Sequence, residues 1–154
     1  MEASTLTEVR VGAEAGGDAI DHWTAAISES LIGDVAWLQR PRTEPFTGVL
    51  TRRWLHDVLL TEYDSTGFAA KFLPNSAAKD YIGICFSADS YREVVALRDG
   101  RSVGCSANSY VWSNAAIKGI EVAGPGSSLL LHVPCSAIAA AGGSLSAVES
   151  VSTR

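Results

Sequence analysis

From Thr47 to Val133 the chain runs through short segments rich in β-branched and aromatic residues, each broken by a cluster of Gly, Asn, Asp or Ser. Such residues fit a pleated, half-buried surface, and turn residues at this spacing fold the chain back antiparallel to itself. Strands are predicted near Gly48–Leu55, Val58–Tyr63, Gly67–Leu73, Tyr81–Ala88, Glu93–Arg98, Arg101–Cys105, Tyr110–Ser113, Lys118–Val122 and Ser128–Val133. Asp99-Gly100 predicts a two-residue hairpin turn of type I′, because both positions tolerate positive φ, and Gly124-Pro125-Gly126 predicts a loop. This many short strands form either two face-packed sheets or a closed barrel, since both limit unpaired edges. A jelly-roll-like antiparallel barrel is the expected architecture.

A helical period precedes the β region. Ile20, Trp23, Ile27 and Leu31 recur at three- and four-residue steps, which places them on one face of a helix from near Asp18 to Gly33. Trp23 is then a packing anchor. Pro41 to Pro45 reads as a turn-rich connector, because proline fixes φ and drives the preceding residue out of helical geometry. Residues 1–17, with Glu2, Glu8, Glu14 and several glycines and alanines, are expected to be a flexible N-terminus. Residues 139–154, rich in Ala, Gly and Ser, are expected to be a frayed end or a linker cut short, which leaves 18–138 as one folded unit.

A length of 154 residues suits a single domain, and 47% hydrophobic with 19% charged residues is a globular composition. Twelve basic and seventeen acidic residues give 12 − 17 = −5, a charge that repels a phosphate backbone and argues against direct nucleic-acid binding by this chain. Basic residues do gather at Arg40, Arg42, Arg52 and Arg53, with no stacking platform or helix-turn-helix pattern around them. They read as a solvated face or as anchors for an anion. Cys85, Cys105 and Cys135 are odd in number and widely spaced, so buried free thiols are expected rather than disulfides or a metal site. No basic start precedes an apolar run, and no stretch reaches the ~18 apolar residues of a membrane span. A soluble, cytoplasmic chain is expected by elimination.

A metal site on a small barrel needs histidines and a carboxylate converging from neighbouring strands. His22, His56 and His132 show no such spacing, and no nucleophile elbow, cysteine–histidine pairing or glycine-rich phosphate loop is present. No enzymatic activity, metal or cofactor is expected. A small-molecule pocket is the remaining chemistry, for which Trp54, Tyr81, Tyr110, Trp112 and His132 supply amphipathic side chains on strands. Each of these serves equally well as barrel filling. His132 alternates with Leu131 and Val133 and so faces away from them, into the barrel or into solvent. Arg53, beside Trp54, suits a two-pronged bond to a ligand carboxylate, although one of Arg52 and Arg53 must face outward.

The order of helix, proline connector, β-rich unit and closing Val-Pro strand resembles the N-terminal, cupin-like effector-binding domain of AraC-family transcription regulators. The resemblance spans Trp23 to Ile138. It rests on Phe46-Thr47-Gly48-Val49-Leu50, Asp99-Gly100-Arg101, Tyr110-Val111-Trp112-Ser113 and Leu129-Leu130-Leu131-His132-Val133-Pro134. Two positions depart from the family pattern: Ala107-Asn108-Ser109 stands where Pro-Gly-Asp is usual, and Cys135 stands where an arginine follows the closing proline. The resemblance implies a small-molecule effector within or at the mouth of the barrel and pairing into a homodimer. DNA contacts would come from a helix-turn-helix part that this sequence lacks. A small cupin-type enzyme and a stand-alone protein-interaction module are the competing functions.

Overall fold

The computed structural model describes residues 6–12, 18–30, 35–39, 45–73, 80–87, 93–105, 109–122, 124–144 and 152–153. Strand β1 (Leu6–Val11) and helix α1 (Asp18–Ser30) lead into β2 (Val35–Gln39), β3 (Gly48–Leu55), β4 (Val58–Ser65) and β5 (Phe68–Phe72). There follow β6 (Tyr81–Ser87), β7 (Glu93–Leu97), β8 (Ser102–Cys105), β9 (Ser109–Ser113), β10 (Ile117–Val122) and β11 (Gly126–Pro134), then helix α2 (Cys135–Ala140) and the short β12 (Ser152–Thr153). A seven-stranded sheet runs in the order β1-β3-β4-β11-β6-β9-β12, and a five-stranded sheet in the order β2-β5-β10-β7-β8. The fold is mainly antiparallel β and cupin/jelly-roll-like, with two sheets that do not close into a barrel.

One core fills the space between the sheets. On the large sheet, alternate residues point inward, so that Leu50, Tyr63, Cys85, Tyr110, Trp112 and Leu130 are buried. Phe68, Ala70, Val95, Leu97, Ile120 and Val122 meet them from the small sheet. Helix α1 packs against β1, β2 and β3, and thus touches both sheets. Its buried residues Ala19, Trp23, Ala26, Ile27 and Ser30 fall at helical spacing. Trp23 is fully buried against Phe46 (ring centroids 5.2 Å) and Phe68 (5.9 Å). Its ring lies over Gly48, where a Cβ would come within 2.7 Å of it, so this strand opening has to be glycine.

The predicted β segments all appear as strands, to within about two residues at each end. Five features differ. Residues 6–11, expected to be flexible, form β1 and pair in register with β3, because Val9 and Val11 alternate onto the inner face. β2 was not expected, Cys135–Ala140 forms a short helix that runs into the expected tail 139–154, and Ser152–Thr153 within that tail forms β12 and pairs with β9. The β7–β8 hairpin is not a two-residue turn. Gly100 has φ 91°, Asp99 has no positive φ, and bonds run from Gly100 N–H to Leu97 O (3.1 Å) and from Leu97 N–H to Arg101 O (2.8 Å). That is a three-residue loop with glycine in the left-handed position. The segment 41–44 of the proline connector lies outside the described residues, as do Arg40 and Arg42. Among the described residues no helix is long and apolar enough to cross a membrane.

Candidate functional site

The register of the large sheet fixes which expected site residues meet. Trp54 pairs with Leu59, Leu59 with His132, His132 with Gly83, and Gly83 with Trp112, so one row crosses five strands on a single face. Tyr110 stands in the next row, opposite Cys85, and Tyr81 lies one step to the other side, opposite Pro134. Five of the six residues therefore share the inner face.

Arg53 is the exception. It pairs with Leu60 on the opposite face and is exposed, away from the aromatic row. Arg52 takes the inner parity and forms an ion pair with Glu29 of α1. The arginine that faces inward is thus already matched by a carboxylate.

His132, Trp112 and Tyr110 form a tight group. The Tyr110 and Trp112 rings stack at 5.2 Å with a 30° tilt, and His132 meets Trp112 edge-on at 6.1 Å and 82°. Gly83 makes this possible, since a Cβ there would fall 2.2 Å from the indole. Trp112 Nε1 donates to Asn114 Oδ1 at 2.8 Å, which fixes the ring over the β6 backbone. Trp54, 43% exposed, and the half-buried Tyr81 stand toward the rim of the same face.

His132 is fully buried, and among the described residues neither ring nitrogen has a hydrogen-bond partner. Burial without a partner disfavours the imidazolium and pulls the pKa from 6.5 to about 4. The ring is therefore neutral at physiological pH, with one N–H donor and one lone-pair acceptor unsatisfied inside the molecule. Such an orphan costs about 1–3 kcal/mol, a cost that a ligand bearing matching groups can remove.

Sequence reasoning missed Gly83 and Asn114. A lone glycine inside the apolar run Tyr81-Ile82-Gly83-Ile84 was the available signal, because glycine within a strand often marks a close approach. Asn114 carries no comparable mark. Of the cysteines, Cys85 is buried and Cys135 half-buried, neither in a disulfide.

No protein-family model and no curated protein matches this sequence. Among solved structures, the chain is similar to the AraC-like transcriptional activator CuxR, with a TM-score of 0.72 and 18% identity. That match covers 97% of this chain and 55% of the activator, so the chain spans about half the activator's length. Lower similarity is found to the EutQ protein of Clostridium difficile (TM-score 0.43, 12% identity, 62% of this chain and 69% of that one). A protein of unknown function from Pseudomonas syringae pv. tomato gives TM-score 0.44 and 14% identity over 66% of this chain and 44% of its own. The first of these likenesses establishes a shared fold.

Proposed function

We propose that this chain is a ligand-sensing regulatory domain of the AraC type, acting in the cytoplasm without catalysis. The observation that carries the proposal is the fully buried His132, whose ring nitrogens both lack a partner among the described residues, beside the Tyr110–Trp112 stack. A protein gains nothing in stability from such a residue, whereas a binding site gains a donor and an acceptor in a low-dielectric setting. Trp54 and Tyr81 on the same face line the approach. The fold shared with an AraC-like activator supports the regulatory half of the reading. A net charge of −5, which repels a phosphate backbone, supports a reading in which promoter contact comes from another segment or partner.

The effector is uncharged or weakly polar, because the inner-face arginine is held by Glu29 and Arg53 lies on the far side of the sheet. A thermal-shift screen of small aromatics, sugars and carboxylates tests this. A neutral aromatic or sugar should raise the Tm of the wild type by mass action, and His132→Leu should abolish that rise. A hit that stabilises both proteins equally would place the site elsewhere. The competing enzyme reading predicts stoichiometric iron, zinc or manganese in purified protein, although His22, His56 and His132 lie on α1, the β3–β4 turn and β11 rather than on adjacent strands.

A further inference from the structure

The outer face of the small sheet carries a concavity of about 440 Å³, within the size range of small-molecule sites. Its floor is almost bare. Ala69, Ala96 and Gly119 come from β5, β7 and β10, and register places Gly119 beside Ala96. A Cβ at Gly119 would lie 2.7 Å from the Ala70 carbonyl oxygen, so no side chain can rise there. A planar group can therefore lie close against the sheet, with Val94, 39% exposed, as an apolar wall.

The rim is polarised. Lys71 sits directly across from Gly119, and Lys118 is the extra residue of a bulge between Ile117 and Gly119, which re-aims its side chain to the same concavity. Both lysines are exposed, and among the described residues neither has an ion-pair partner. Arg101, also on the rim, is held by Asp99 at 2.7 Å. One row further along the strands, Glu121 stands between Ala69 and Val94. Two unmatched cations at one end and one carboxylate at the other are unusual on a chain that is acidic overall.

We propose that this groove is a second ligand site, distinct from the inner face, that takes a planar aromatic anion bearing a hydroxyl group. Its acid group pairs with Lys71 and Lys118, its ring lies on Ala69, Ala96 and Gly119, and its hydroxyl donates to Glu121. The charge complementarity and the bare floor select this chemistry together: a small inorganic anion leaves the floor uncovered, and a neutral ring leaves the lysines unmatched. The groove does not depend on an effector between the sheets.

The test uses 6-hydroxy-2-naphthoate on the whole chain, with fluorescence titration and amide chemical-shift mapping. Saturable binding is expected, with shifts on β5, β7 and β10. The Lys71→Ala/Lys118→Ala double variant should weaken it by at least about tenfold, and Glu121→Gln should weaken it while leaving 2-naphthoate unchanged. Ala96→Leu, which fills the floor without touching a charge, should weaken both. Equal binding of the neutral 6-hydroxy-2-naphthamide, no saturable binding, or shifts confined to β9 and β11 would overturn the proposal. His132→Leu should leave naphthoate binding intact, which separates this site from the inner one.

Discussion

His132 makes the stability of the molecule depend on pH. When folded, its pKa is about 4, and unfolding returns it to 6.5. Between those values the unfolded chain binds more protons, so stability is full above about pH 6.5 and falls as the pH drops toward 4. The whole loss is about 3 kcal/mol, since each pKa unit corresponds to about 1.4 kcal/mol. Among the described residues no charged group faces the ring across its row, where Leu59 and Gly83 flank it and Trp112 stands at right angles to it. Replacing it with leucine removes the titration and the two orphaned nitrogens together. Urea unfolding of His132→Leu should show a gain of about 1 kcal/mol near neutral pH and a flatter profile down to about pH 5. A variant that is less stable at both pH values would mean that the imidazole contributes packing that leucine cannot match.

At the scale of elements, the β3–β4 hairpin is the place where local chemistry and backbone geometry disagree. Leu55 pairs with Val58, which leaves His56 and Asp57 as a two-residue loop, and His56 carries φ 59°. No glycine is present to take that left-handed conformation, and His is one of the few side chains that tolerate it. His56→Gly should raise the urea midpoint by the equivalent of about 0.5 kcal/mol, and His56→Val should lower it by about 1 kcal/mol, since a β-branched residue is strained there. The β7–β8 hairpin shows the opposite case. Gly100 supplies the left-handed residue, Asp99 accepts from Arg101 N–H at 3.0 Å, and the Arg101 side chain folds back on the same carboxylate. The two hairpins thus have different turns, one with a strained histidine and one with an unstrained glycine.

For the whole molecule, α1 decides whether two sheets behave as one domain. It touches β1, β2 and β3, Thr61 Oγ1 donates to Ser30 O at 3.2 Å, and Trp23 fills the space between Phe46 and Phe68. Trp23→Ala should cost about 3–5 kcal/mol in urea unfolding, a large share of the total stability of a domain this size, while Trp54→Ala, at an exposed position, should cost well under that. A small loss at Trp23 would show that the sheets hold together without the helix. Period and turn residues alone located α1 and nine of the twelve strands, because alternation and glycine placement are local properties of a chain. They did not reveal β1, where only Val9 and Val11 supply apolar residues to the inner face, or that the two sheets stay open. The aromatic candidates Trp54, Tyr81, Tyr110, Trp112 and His132 were legible as residue types. Their gathering on one face was not, because a shift of one residue in register would send every one of them to the other side. Only the tertiary pairing put Arg53 outside, Arg52 against Glu29, and His132 beside Trp112 across the bare backbone of Gly83.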